Sequence, residues 1–217
     1  MTREEERAGA LRTFAESNGF EFNPEVDQGF MDPGFFVFGM GSDQVEGFAE
    51  NVLDGDWEGF PVREFDYSIT GMEEIGVPIL ITGTDTLRYS VAMIPIENAS
   101  LPYVRILKKD VTKQLEDDVA HLFHFHIDHG EVESGVKDFD HHFETRSPDP
   151  DFVGTLLDRG LVEVVVGAGT DFAYELWDNG LVVYAGQLDP EELPRLLNAA
   201  KSFHDRIPDA ARSYQAS

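Results

Sequence analysis

The clearest structural signal in the chain is the stretch VLDGDWEGFPVREFDYSI, which occupies residues 52–69. Its two ends are apolar at close to every second position, which is typical of half-buried strands. Residues 54–59, between these ends, have the composition of a hairpin loop. Phe65, Tyr67 and Ile69 fall on one side of the second strand. The stretch therefore predicts an antiparallel hairpin with one apolar face.

The same alternation continues along the chain. It predicts further strands at 78–83 and 86–96, and a last one that begins at Pro102 and ends at Lys108. The second of these places four apolar residues on one face: Leu87, Tyr89, Val91 and Met93. Together with the hairpin, these segments predict an antiparallel meander of five or six strands.

Helical patterns occupy the N-terminus and the middle of the chain. Thr2 and Glu5 have capping-box spacing, and Gly19 suits the left-handed residue that ends a helix. Between them one helical face is apolar, formed by Ala8, Leu11, Phe14 and Ala15. A short strand is expected at Phe20–Phe22. A central helix begins at Asp110, with apolar positions at Val111, Leu115, Val119 and Leu122.

The second half mixes both patterns. Asp149 and Pro150 predict the start of a helix that Gly160 closes, and Asp189 caps the final helix. The final helix has an inward face of Leu193, Leu196, Leu197, Ala200 and Phe203. The remaining predicted elements are a short strand near 130–134, a helical turn at Lys137–His142, a strand at Leu161–Val166, and a hairpin of Phe172–Trp177 with Leu181–Tyr184.

These elements predict an α+β fold, in which an antiparallel β-meander sheet packs with N-terminal, central and C-terminal helices. No repeat or low-complexity linker divides the sequence, so residues 1–217 are expected to form a single domain. Within it, residues 1–110 are mostly strand and residues 111–217 are mixed.

The charge excludes several classes of partner. The sum of 16 Lys and Arg against 42 Asp and Glu is −26. A nucleic-acid backbone needs clustered basic residues, and an anionic membrane surface attracts them as well, so neither is an expected partner. The 41% hydrophobic and 12% aromatic content disfavours disorder.

The acidic residues are dispersed along the chain instead of forming a tail, and few of the basic residues are lysines. This pattern is similar to that of haloarchaeal proteins, whose repulsion is screened in molar salt because the Debye length falls to about 3 Å at 1 M. The alternative is an acidic surface that mimics DNA or recruits a basic partner.

The chain has no cysteine, so disulfides and thiolate metal sites are excluded. The charged residues that follow Met1 predict no signal peptide, and no apolar run approaches the ~18 residues of a membrane span. We therefore expect a cytoplasmic protein.

Several segments occur in an order that is similar to a family of uncharacterised bacterial and archaeal proteins, many with membrane segments ahead of the domain. The resemblance covers about 50–205. The segments are ENVLDGDWEGFPVREFDYSI at 50–69, Glu131–Ser134, Phe139 with Phe143, Asp149–Leu157 and Leu188–Leu193. It implies one domain and no assigned activity, and this chain lacks the membrane segment.

One motif has residue types and a spacing that are suited to metal binding and hydrolysis. His124, His126, Asp128 and His129 match the H-x-H-x-D-H signature of metallo-β-lactamase-like hydrolases. Two imidazoles two residues apart on an extended segment can share one Zn or Mn ion, and the Asp-His pair can hold a second that activates a bridging water. The signature implies a metal-dependent hydrolase.

The surroundings of this motif favour other interpretations. The hydrolase family places further ligands downstream, where this chain offers only His141, His142 and His204. The same four residues, with or without His141 or His142, are then candidates for a structural metal site. In the remaining interpretation, no metal binds and the histidines have ordinary hydrogen-bond partners at a helix-to-strand junction.

The leading hypothesis is therefore a non-catalytic cytoplasmic binding or assembly module of a halophile, without a cofactor, acting on a protein partner or by self-association. The first alternative is the metal-dependent hydrolase. The second is an acidic protein that recruits a basic partner or mimics DNA toward it.

Overall fold

Eight strands form one antiparallel sheet in the computed structural model, which describes residues 2–24, 35, 46–70, 87–97, 99–109 and 130–214. All of them except the strand at 143–146 correspond at least in part to strands predicted from the sequence. The strands are β1 (Glu21–Asn23), β2 (Glu46–Trp57), β3 (Phe60–Thr70), β4 (Leu87–Pro95), β5 (Leu101–Lys108), β6 (Phe143–Arg146), β7 (Ala173–Asp178) and β8 (Gly180–Gly186). Together with the helices, this sheet confirms the predicted α+β class.

Six helices accompany the sheet within the described residues. They are α1 (Arg3–Asn18), α2 (Lys137–His142), α3 (Pro150–Leu156), α4 (Arg159–Ala168), α5 (Leu193–Arg206) and α6 (Asp209–Arg212), and a 3₁₀ turn at Pro190–Glu192 precedes α5. Residues of all six are buried in one apolar core with residues from one face of the sheet. In the described part of the chain, no helix is long and apolar enough to cross a membrane.

The strand order is β1-β2-β3-β4-β8-β7-β5-β6. Consecutive strands β1 to β4 are neighbours, as a meander requires. The hairpin of β7 and β8 then lies between β4 and β5, so residues from both halves of the sequence share one sheet. Local alternation predicts each strand but carries no information about this insertion, because strand order depends on distant pairing.

The hairpin of β2 and β3 is longer than predicted. Both strands continue through most of the expected loop, and the turn itself consists only of Glu58 and Gly59, with φ of 50° and 84°. Two successive residues with positive φ form the turn that matches the twist of paired strands. Asp54 therefore lies within β2, and its carboxylate forms an ion pair with Arg63, with 2.7 Å between Oδ1 and Nε.

The terminal helices agree with the sequence. In α1, the Thr2 hydroxyl accepts from the Glu5 amide at 3.2 Å and the Glu5 carboxylate accepts from the Thr2 amide at 2.8 Å, while Gly19 follows with φ of 78°. In α5, all five predicted inward residues are buried. The short helix α6, which the sequence did not predict, begins just after Pro208.

The predicted strand at Leu161–Val166 is wrong, because this segment lies in α4. The Asp158 carboxylate accepts from the Leu161 amide at 2.7 Å and thereby caps the helix. Leu161, Val162 and Val165 are then buried at helical spacing, and this packing overrides the strand propensity of the β-branched residues. The preceding helix accordingly ends at Leu156 and not at Gly160.

One further prediction is reduced in extent, two are confirmed, and two concern segments outside the described residues. The strand near 130–134 is a single bridge between Glu131 and Arg146, while the helical turn at Lys137–His142 and the hairpin of β7 and β8 are confirmed. The strand at 78–83 and the apolar positions of the helix after Asp110 lie outside the described residues.

Candidate functional site

Polar side chains interrupt the helix-facing side of the sheet near its β1 edge. On β3, Glu64, Asp66 and Ser68 alternate with the apolar residues of the opposite face. All three are buried, with at most 1% of their surface exposed. Asp66 lies opposite Ser90 on β4. Because burial of a polar group without a hydrogen-bond partner costs free energy, we treat this cluster as the candidate functional site.

Arg7 of α1 provides the positive charge of the cluster. Its Nε lies 2.7 Å from Asp66 Oδ2 and its Nη2 lies 2.6 Å from Asp66 Oδ1, which is a two-point contact. The guanidinium also donates to the Leu188 carbonyl at 2.7 Å and, at 3.4 Å, to the Ser90 hydroxyl. That hydroxyl accepts from the Leu188 amide at 3.1 Å. Arg7 therefore joins α1, β3, β4 and the segment after β8.

A β-bulge in β2 supplies a further partner for Asp66. The pairing of β2 with β3 shifts between Glu50 and Leu53, and Asn51 within the bulge has a φ of 56°. Its side-chain amide donates to Asp66 Oδ2 at 3.0 Å. A left-handed conformation is uncommon for residues other than glycine, although Asn tolerates it best. The bulge thus turns an amide toward the buried carboxylate.

Glu64 is the unsatisfied member of the cluster. Neither of its carboxylate oxygens has a hydrogen-bond partner among the described residues, and its side chain is 1% exposed. Burial raises the pKa of Glu64 well above its ordinary value, the charge of Asp66 raises it further, and Arg7 opposes both. Glu64 is therefore a buried carboxyl group that favours its protonated form.

A half-open cleft of about 240 Å³ lies beside the cluster, between the first two turns of α1 and the sheet. Charges of both signs line it: Arg3, Glu4, Glu5, Arg7, Glu50 and Arg88. Arg88 Nη2 and Glu4 Oε1 form an ion pair at 3.0 Å. Burial, followed by the charge of Asp66, raises the pKa of Glu50. The cleft is smaller than most sites for drug-sized ligands.

A second buried polar group lies on the opposite face of the sheet. Arg105 on β5 and Glu175 on β7 are direct cross-strand partners, with 4% and 0% of their surfaces exposed. The Tyr103 hydroxyl donates to Glu175 Oε2 at 3.4 Å. Burial, followed by the charge of Glu175, raises the pKa of Tyr103 well above its ordinary value. This group combines a charged pair with a phenol in the manner of a structural buried network.

The four predicted metal ligands, His124, His126, Asp128 and His129, lie outside the described residues. The other candidate histidines are exposed: His141 and His142 end α2 with their ring centroids 4.8 Å apart. Within the described ranges, no group of three or more His, Asp or Glu side chains is arranged to hold a metal ion.

The third histidine named as a downstream candidate, His204, lies on α5 away from these two. Its ring contacts Phe60 at 4.7 Å between centroids, and burial, followed by the charge of Arg212, lowers its pKa. This environment favours the neutral imidazole packed against an aromatic ring.

The sequence analysis missed the Arg7 cluster, although two signals for it exist. Arg7 precedes the buried residues Leu11 and Ala15 by one and two helical repeats, so it lies on the same face of α1. On β3, Glu64 and Asp66 alternate with Phe65 and therefore occupy the side that faces the helices. A basic residue on one inward face and two acidic residues on another predict a buried ion pair once the two elements are known to pack.

No protein-family model and no curated protein matches the chain in sequence. In three dimensions the chain is similar to the crystal structure of the mycobacterial trehalose monomycolate transport factor A. The TM-score is 0.64 at 17% sequence identity, and the match covers 93% of this chain and 96% of that chain. At this identity, the likeness shows that the two chains share a fold.

Proposed function

We propose that the chain is a non-catalytic binding or assembly module. The observation that carries this proposal is the Arg7 cluster. Arg7 is bound by Asp66, Ser90 and the Leu188 carbonyl, so its hydrogen bonds hold α1 against the sheet. A substrate-binding guanidinium keeps donors free for its ligand. Arg7, which lines the cleft, thus serves the fold.

The structural neighbour supports an accessory role. The neighbour is a transport factor, and the match extends over nearly the whole length of both chains. A factor that assists transport acts by contact with other molecules, and such a role fits a chain whose cleft is small.

The net charge supports the proposal that the module works in molar salt. A net charge of −26 favours a protein adapted to molar salt, where dispersed carboxylates keep the surface hydrated and their repulsion is screened. In such a medium, contacts with a partner depend less on long-range attraction and more on shape and apolar area.

The experiment compares the unsubstituted protein with a variant in which His124, His126, Asp128 and His129 are all replaced by alanine. Both are purified in molar KCl, their metal content is measured, and each is assayed with aryl esters and an aryl phosphodiester after addition of Zn or Mn. The proposal predicts the same background hydrolysis from both proteins. Bound metal and turnover that the variant loses would replace the proposal with a hydrolase.

Light scattering in molar KCl tests the assembly part of the proposal. A defined oligomer supports assembly through copies of this chain. A monomer at all concentrations contradicts self-assembly and leaves binding of another protein as the function.

A further inference from the structure

Glu64 occupies an apolar row that crosses the sheet. Its direct neighbours in the two adjacent strands are Leu53 on β2 and Ala92 on β4, and Val183 on β8 follows Ala92. All three belong to the apolar core under the helices. A carboxylate in such a row has lost its water without gaining a hydrogen bond, so its ionised form is strongly disfavoured.

The positive charge near Glu64 is already paired. Arg7 on α1 holds Asp66 on β3 through two contacts, and Asn51 on β2 donates to the same carboxylate. The remaining charged groups around the cluster are Glu50 on β2, Arg88 on β4, Glu4 on α1 and Asp189 before the 3₁₀ turn. Ionisation of Glu64 therefore adds a second negative charge beside Arg7, whose guanidinium is already paired with Asp66.

The apolar contacts of α1 are few. Among its 16 residues only Leu11 and Ala15 are buried, and Phe14 is half-buried against Trp57. A helix with two buried apolar residues gains little from the hydrophobic effect, so the Arg7 contacts provide a large share of its attachment. A change of charge under Arg7 thus acts on a long helix that has few buried apolar side chains.

We propose that the proton on Glu64 controls the docking of α1: the helix stays on the sheet while Glu64 is neutral, and it loosens when Glu64 ionises and draws water into the cluster. This inference does not depend on the proposed function. The raised pKa of Glu64, caused by burial first and Asp66 second, supports a transition above the ordinary range of glutamate. Release of α1 uncovers the polar cluster and the apolar residues under Leu11.

Trp57 provides a reporter at the far end of α1. Its ring centroid lies 6.3 Å from that of Phe14, and its indole donates to Asn198 Oδ1 at 2.8 Å. The chain contains two tryptophans, so a Trp177→Phe background leaves Trp57 as the single emitter. Loss of the Phe14 contact exposes the indole to water and shifts its emission to longer wavelength.

The experiment measures Trp57 emission from pH 5 to pH 9 in the Trp177→Phe background, alone and with Glu64→Gln. Glu16→Gln, on the exposed face of α1, is the matched control. The proposal predicts a red shift with rising pH in the background and in Glu16→Gln, and none in Glu64→Gln. The same red shift in Glu64→Gln, or a constant emission in the background, overturns it.

Amide hydrogen exchange gives a second readout in the protein without a tryptophan change. After correction for the intrinsic rates, protection of α1 should fall by about tenfold for each pH unit between the ordinary pKa of glutamate and that of Glu64 in the fold. Protection of α5 should stay constant. Equal loss in α1 and α5 would mean that the whole fold opens, and it would overturn a local release of α1.

Discussion

The guanidinium of Arg7 and the carboxylate of Asp66 meet in a two-point contact at 2.6 and 2.7 Å, across 59 residues of sequence. The side chains are 13% and 1% exposed. In this environment the pair is shielded from salt, unlike the exposed ion pairs of α4 and α5. It fixes the first helix to the third strand, and Glu64 beside it has no hydrogen-bond partner among the described residues.

The effect of Glu64 on stability should depend on pH. Its pKa in the fold is raised by burial and by Asp66, so the folded state binds this proton more tightly than the unfolded state. The stabilisation is complete below about pH 4, where both states are protonated, and it is lost as the pH rises through the raised value. We expect Glu64→Gln to raise the melting temperature relative to the parent protein more at pH 8 than at pH 5. An equal difference at both pH values would contradict this assignment.

Two glycines should respond to alanine in opposite directions. A methyl group added at Gly47 overlaps the hydroxyl and ring of buried Tyr67, whereas one added at Gly154 in α3 meets nothing within 4 Å. Gly47→Ala should lower the unfolding free energy by about 1–3 kcal/mol through overpacking. Gly154→Ala should raise it by about 0.5–1 kcal/mol, because the unfolded chain loses freedom. Denaturant titration measures both, and a neutral Gly47→Ala would show that Tyr67 moves aside freely.

Removal of the last helices should abolish the fold. The helix α5 buries Leu193, Leu196, Leu197 and Phe203, which contribute about 1.5–3 kcal/mol each. That sum is comparable with the whole stability of a typical domain, about 5–15 kcal/mol. A chain that ends at Leu188 should show no cooperative unfolding by circular dichroism, whereas one that ends at Tyr214 should unfold like the full chain. Cooperative melting of the shorter chain would mean that α5 is not part of the essential core.

The fold was largely predictable from local patterns, and the exceptions have physical reasons. The alternation of Phe65 and Tyr67 defines β3 because one face of a strand must be buried. The apolar run at Leu161–Val166 is compatible with either a strand or a helix. The Asp158 cap and the packing against α5 favour the helix. The order of β4, β8, β7 and β5 depends on contacts between distant segments, which local periodicity does not encode.

The site was less predictable than the fold. The histidine motif attracts attention because its spacing is recognisable in one segment. The Arg7 cluster has no such spacing, since Arg7, Asn51 and Asp66 come from three elements and their meeting depends on the packing of α1. Its two sequence signals are charged residues at inward positions, one on α1 and the others on β3.

The net charge predicts a steep response to salt. If the acidic surface is an adaptation to molar salt, the melting temperature should rise as KCl increases from about 0.1 M to 1 M, because the Debye length shrinks from about 10 Å to about 3 Å and the carboxylates cease to repel one another. At low salt, a pH of about 4–5 should reproduce part of the gain. A melting temperature that does not change with KCl would contradict the adaptation and favour an acidic surface that binds a basic partner.

A double-mutant cycle on Arg7 and Asp66 tests the central claim, that the buried charge of the cleft holds the fold together. Arg7→Met or Asp66→Asn alone should each cost about 3–5 kcal/mol, because each leaves a buried partner uncompensated. The double variant should cost less than their sum by about 2–3 kcal/mol. The exposed pair of Arg159 and Glu163, at 2.8 Å, is the control and should couple by only about 0.3–0.5 kcal/mol. Additive losses at Arg7 and Asp66, or single losses no larger than those of the control, would contradict the account.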